Sequence, residues 1–130
     1  MKLQSCLYVI LAMVFSKPVF ANEKELVGVQ TYKAVCAVCH ASGVANAPKV
    51  GDKNVWKPLI DEGQVIITAH GYVGVRAMPP KGGKADLSVE HFAEALNYMV
   101  NNSGGQWSSP DKPMLAKIQA EIADRKKNIK

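Results

Sequence analysis

Two thiols and an imidazole stand within five residues, as Cys36-Ala37-Val38-Cys39-His40. Cysteines at this spacing lie on adjoining sides of one helical turn, so each can add to a vinyl group of a haem. The next residue, His40, is thereby held under the ring with its imidazole in reach of the iron. The pattern points to one covalently attached haem, with His40 as an axial ligand. Three other chemistries use paired cysteines, and each fits less well. A thioredoxin-like redox pair needs a βαβ context, for which the chain shows no strand pattern. A zinc site would have to recruit His70 or His91, and closed structural zinc sites usually carry more cysteine. A disulfide between residues so near in sequence closes a very small ring and staples little.

The sixth iron ligand decides what such a haem does. Met78 stands in Ala77-Met78-Pro79-Pro80, 38 residues after His40 and inside a Gly/Pro-rich loop. A thioether is a soft ligand that raises the potential of haem iron and leaves no open position for a substrate. The two prolines restrict the backbone beside it, so little rearrangement accompanies a change of oxidation state. Met99 falls on the apolar face of a helix, where methionine is more often core. Met114 lies in a C-terminal extension, and His70 and His91 sit near helix ends, where a solvated histidine is the ordinary case.

The elements that must position these groups are helical. Asn22 with Glu25 reads as a cap opening a helix over about 23–36, with Leu26, Val29, Tyr32 and Cys36 on one side. Short helices are expected over 55–60 and 62–70, the second ended by Gly71 as a C-cap. Residues 71–86 contain four glycines and two prolines and exclude regular structure. Ser88 caps a strongly amphipathic helix to about Asn101, whose core face is Val89, Phe92, Ala93, Leu96, Met99 and Val100. A last helix over about 113–127 carries a narrow stripe of Leu115, Ile118 and Ile122 and a Glu121–Arg125 pair. The predicted chain is all-α.

Residues 1–21 read as a secretory signal peptide: Lys2, an apolar run from Leu7 to Phe15, and small residues before a cleavage point near Ala21. The run is too short to span a membrane as a helix, and Cys6 precedes it, so Cys6 is not placed as a lipid-anchoring cysteine. The expected organisation is then 1–21 signal, 22–102 haem domain and 103–130 linker and helix, with the mature chain in the periplasm. Without Lys2 and Lys17, 14 basic residues face 11 acidic ones, and residues 103–130 hold the whole net excess of three. A neutral haem-bearing part argues against nucleic acid as a partner. Within it, Lys49, Lys53, Lys57, Arg76, Lys81 and Lys84 outnumber Asp52, Asp61 and Glu62, a bias suited to steering toward an acidic protein.

CAVCH, the Ala47-Pro48-Lys49 stretch before Gly51-Asp52, Trp56, Met78-Pro79-Pro80-Lys81-Gly82-Gly83 and a helix ending Asn97-Tyr98-Met99-Val100 together resemble the cytochrome c5 family of class I cytochromes c. The resemblance runs from about Leu26 to Asn101. It implies a small cytochrome c fold of about four helices wrapping one haem, in which the first and last helices cross. It also implies one covalent haem c with axial ligands at His40 and Met78. Pro48 matches a proline whose carbonyl accepts the proximal imidazole N–H, and Trp56 matches a position near the propionates, although plain core packing would explain it as well. Gly28 would let the crossing helices approach closely. Lys84-Ala85-Asp86-Leu87 replaces a second CxxC found in many members, and residues 103–130 form a helical extension outside the family pattern, expected to lie as a solvated helix packed on the domain.

The resulting expectation is a periplasmic monohaem electron carrier, not an enzyme and without a small-molecule substrate. Its partners would be redox proteins, membrane respiratory complexes among them. Two alternatives stand beside it: a haem subunit of a dehydrogenase complex with residues 103–130 as a docking arm, and a peroxidase or gas-binding protein if the sixth ligand is labile.

Overall fold

A computed structural model describes residues 21–129, with side chains described from residue 23. The expected signal peptide therefore lies outside the described residues, apart from Ala21. Helix α1 (Ala21–Thr31) continues without a break through a π-helical turn, Tyr32–Cys36, into α2 (Ala37–His40). Ala21, the first described residue, is already helical, so Asn22 lies within the helix and not ahead of it as the expected cap. It also extends to His40 and carries both cysteines and the histidine on one rod.

Helix α3 (Lys53–Glu62) opens at Asp52, whose carboxylate accepts the Val55 N–H at 3.3 Å, and holds Pro58 inside it. Helix α4 (Gln64–Val73) is longer than its sequence pattern suggested. Gly71 does not cap it; the helix passes through Gly71 and ends at Gly74, whose φ of +96° turns the chain. Gly71 is small because the Phe92 ring packs there: a Cβ would sit 2.8 Å from Phe92 Cζ. Helix α5 (Val89–Asn101) starts at Ser88, whose Oγ accepts the His91 N–H at 3.1 Å, as expected. Helix α6 (Lys112–Asn128) starts at Asp111, which accepts the Met114 N–H at 2.9 Å. No strand forms among the described residues, and no described helix is long and apolar enough to cross a membrane.

Helix α1 crosses α5 and α4 packs against α6. At the first crossing Gly28 is buried against the backbone of Glu94, and Tyr32 and Tyr98 stack beside it with centroids 4.9 Å apart. The expected face of α1 shifts as a result: Leu26 is 53% exposed, while Gly28 and Cys36 are buried. The core divides into two clusters. One gathers Cys36, Trp56, Ile67, Ala95, Leu96, Met99 and Val100. The other gathers Ala69, Tyr72, Leu87, Phe92, Ile118 and Ile122, with Met78 packed against it. Val35, the residue before Cys36, touches both.

The connection from α5 to α6 is strapped down by side chains of α4 and α5. Asn97 Nδ2 and Gln64 Nε2 both donate to the Ser108 carbonyl, at 2.9 and 3.0 Å. The Ser109 hydroxyl donates to the buried Glu94 carboxylate at 2.8 Å. Asn101 takes the Trp107 N–H and donates to the Trp107 carbonyl. These polar residues on α5 carry no signature in hydrophobic periodicity.

Candidate haem centre

The proximal side is built on residues 48–51, each tied to a different neighbour. His40 Nδ1 donates to the Pro48 carbonyl at 2.8 Å. The Lys49 carbonyl accepts the Trp56 indole N–H at 2.9 Å. The Val50 N–H donates back to the His40 carbonyl at 2.9 Å, and the Gly51 N–H donates to the buried Ser103 hydroxyl at 3.0 Å. This segment fixes the geometry of one side chain above all: the His40 ring is buried, oriented through its Nδ1–H, and left with the Nε2 lone pair free to bind a metal. A histidine held this way is the ordinary arrangement for a metal-bound imidazole.

Trp56 is 2% exposed and its ring lies 6.3 Å from that of His40, centroid to centroid. Its single N–H donor is already used by Lys49, so it braces the strap from the core side. Cys36 is buried and Cys39 half-buried, and both are free thiols with no disulfide between them. Burial pushes the Cys36 thiol up to about 11, so near neutrality it stays protonated. Among the described residues no three His, Cys, Asp or Glu side chains gather into one group.

The Met78 loop is a tight turn. Val75 N–H donates to the Met78 carbonyl at 3.1 Å and Met78 N–H to the Val75 carbonyl at 2.9 Å, closing the loop from both ends. Gly74 permits it, since a Cβ there would meet Pro80 N at 2.9 Å and the Met78 carbonyl oxygen at 3.1 Å. The short 3-10 turn Pro80–Gly83 follows and brings Gly82 against Val35 on the π-helical turn. Lys81 Nζ donates to the Ala85 carbonyl at 2.7 Å and lies 5.3 Å from the Tyr72 ring centre. Met78 Cε lies 3.6 Å from where a Gly71 Cβ would stand. Among the described residues the non-glycine residues with positive φ are Ala45, Asn46, Arg76 and Lys81. Two lie between His40 and Pro48 and two flank Met78, a placement typical of functional loops.

Met99 is buried in the first core cluster, together with Cys36 and Trp56, and Met114 packs on the second, as Met78 does. His91 is exposed. His70 faces Glu62 at 3.8 Å, and burial and the Arg125 charge hold its pKa below the usual value.

A helix bearing two free thiols and a carbonyl-oriented histidine, wrapped by helices without strands, defines a c-type cytochrome. Residues 24–99 match the family model described as "Cytochrome C oxidase, cbb3-type, subunit III". The chain belongs to that family of class I c-type cytochromes. It is 41% identical over 96 residues to "Cytochrome c-555" of Chlorobaculum tepidum, covering 71% of this chain and 88% of the relative. It is 44% identical over 66 residues to "Cytochrome c5" of Ectopseudomonas mendocina, covering 49% of this chain and 76% of the relative. A chain from "Crystal structure of electron transfer complex of nitrite reductase with cytochrome c" superimposes with a TM-score of 0.57 at 43% identity, covering 59% of this chain and 94% of that one. The cofactor of the family is a covalently bound haem c with iron, and the chain is a monohaem electron carrier. The donor set fits that group: two thiols for the vinyl carbons and one imidazole with Nδ1 already engaged.

The sequence pattern missed the π-helical turn ahead of Cys36 and the Ser103 contact to Gly51. A π turn within a helix often marks a functional site, yet Tyr-Lys-Ala-Val-Cys is ordinary helical sequence. A serine after a helix end is likewise uninformative until the fold brings it to Gly51.

Proposed function

We propose that the chain is a periplasmic one-electron carrier, running between respiratory or dehydrogenase partners, with its haem held by Cys36 and Cys39 and its iron between His40 and Met78. The observation that carries this reading is the His40–Pro48 hydrogen bond, because it directs Nε2 of the same helical turn that presents both thiols. When bound, the haem supplies a one-electron iron couple. The chain's own part is to keep each ligand still. Pro48 fixes the imidazole, and Trp56 and Ser103 fix Pro48's segment. The two-way Val75–Met78 pairing fixes the methionine backbone. His40 and Met78 would together hold the iron and leave no open position for a substrate, which supports a carrier over an enzyme. Residues 22–102 form the haem-binding unit and residues 103–130 an addition to it, with residues 1–21 removed on export.

Docking is read from charge. Lys57 and Lys84 are paired with Asp61 and Asp86 at 2.7 and 2.8 Å. Lys49, Lys53, Arg76 and Lys81 make no ion pair among the described residues and flank the two ligand loops. They suit an acidic redox protein, including a membrane respiratory complex; the nitrite reductase complex of the similar structure is one precedent for such pairing. Electron transfer to that partner should slow as salt rises, and a rate indifferent to ionic strength would discard the steering role.

The decisive experiment is an optical spectrum of the purified protein, oxidised and reduced. Haem that stays with the denatured chain and a methionine–iron charge-transfer band in the oxidised form are expected. Met78→Ala should abolish that band. A band that persists in Met78→Ala would transfer the sixth position to Met99 or a histidine.

A further inference from the structure

Helix α6 lies beyond the residues that match the family, which end at 99, yet it is built into the distal half of the molecule. Ile118 is fully buried and Ile122 nearly so, in one cluster with Ala69 and Tyr72 of α4 and Leu87 and Phe92. Met78 packs on that same cluster. Phe92 also abuts Gly71, and the Met78 methyl sits 3.6 Å from where a Gly71 Cβ would stand. Tyr72 meets Phe92 edge to face at 5.5 Å, and its ring lies under the Lys81 ammonium of the Met78 loop. The end of α6 also comes near the turn: Arg125 and Asn128, with Ile129 just past the helix, face His70, Gly74 and Val75 across a cavity of about 220 Å³, and Val75 is the residue that pairs with Met78 in both directions.

We propose that α6 is a buttress for the distal ligand, with Ile118 and Ile122 as positioning residues that hold Met78 on the iron through the Tyr72–Phe92 cluster. The inference rests on Met78 being the sixth ligand. A carrier with the family's loop alone would hold its methionine by the Val75–Met78 turn and the prolines. Here the cluster on which Met78 packs also includes Ile118 and Ile122 of α6, so opening the sixth position must disturb that shared packing as well.

The test is imidazole binding to the oxidised, haem-loaded full-length protein, followed by loss of the methionine–iron band. Ile118→Ala with Ile122→Ala should bind imidazole about tenfold more tightly than wild type, equivalent to about 1.4 kcal/mol. Should that variant fail to load haem, Ile118→Val removes a single methyl and should still tighten imidazole measurably, with Ile118→Leu restoring it toward wild type. Lys117→Ala, on the exposed side of α6, should leave the affinity unchanged. An Ile118→Val affinity equal to wild type, in a protein whose amides at positions 118 and 122 exchange faster, would overturn the buttress while leaving Met78 as ligand. A shift as large in Lys117→Ala would overturn it too, as a charge effect. A wild-type protein without the methionine–iron band would overturn the ligand reading itself.

Discussion

Replacing Gly28 by alanine tests the crossing on which the haem-bearing helix is hung. An alanine Cβ would stand 2.5 Å from the Glu94 carbonyl oxygen and 2.9 Å from its carbonyl carbon. Ordinary contact begins near 3.4 Å, so α1 and α5 would have to part by about 1 Å to reach normal contact separation. The obstacle is helix backbone, which cannot rotate aside as a side chain can. Against this, alanine gains about 1 kcal/mol of helix propensity over glycine. Overpacking of a tight contact costs about 1–3 kcal/mol, and parting the helices also loosens the Tyr32–Tyr98 stack at the same crossing. The clash should win by about 1–2 kcal/mol, and at about 4–8 °C per kcal/mol for a domain of this size the melting temperature should fall by roughly 5–15 °C. Circular dichroism melting of the haem-loaded protein measures this. A melting temperature equal to or above wild type would show that the crossing has slack and that Gly28 is there for no steric reason.

Trp56→Phe keeps the ring but leaves the Lys49 carbonyl without its indole donor; a loss of about 1–3 kcal/mol is expected, read by denaturant unfolding, together with a change in imidazole-side spectral features of the haem. Ser103→Ala removes the acceptor of the Gly51 N–H and should cost about 1–3 kcal/mol by leaving that donor unsatisfied, again measured by denaturant midpoint. His70 has a folded-state pKa below its ordinary 6.5, first through burial and then through Arg125, with Glu62 and Glu121 opposing. Its neutral form is the favoured one in the fold. The stability it contributes is therefore complete above pH 6.5 and is lost as the pH falls below that value. His70→Gln should flatten the decline in melting temperature between about pH 7 and pH 5; a decline as steep as wild type would assign it to other groups.

What could be read from the sequence was what depends on near neighbours. Ser88, three residues before His91, and the Val89–Val100 stripe are local rules, and both gave the right helix. Cys36, Cys39 and His40 are near neighbours in sequence, so their placement together on one helix was legible at once. Gly71 misled because a glycine near a helix end resembles a cap, whereas its reason for being glycine is the Phe92 ring, 21 residues away in sequence. Leu26 misled for the same kind of reason: its period is right, but Gly28 lets α5 come so close that the buried face of α1 turns toward the glycine. The strap of Asn97, Asn101 and Glu94 over residues 107–109 was invisible, because polar residues on a helix are read as solvated unless a partner is known. The same holds for α6, whose stripe of Ile118 and Ile122 announced a buried face without naming what it covers.

The two proposed iron ligands, His40 and Met78, are held by different means, and the difference would bear on how the protein carries an electron. His40 is fixed by hydrogen bonds that run through successive backbone atoms of residues 48–51 to Trp56 and Ser103, on α3 and just past the end of α5. Displacing the imidazole means breaking several of these together, since each residue of the strap is short of slack. Met78 is fixed by one closed turn and by packing. Packing is less directional than hydrogen bonding, so the thioether is the ligand that yields first under heat, alkali or a competing base. A small carrier gains from stillness at the iron, because any ligand motion between oxidation states adds to the barrier for transfer. Helix α6 stands on the side where stillness is harder to secure, and that is where an added element has most effect.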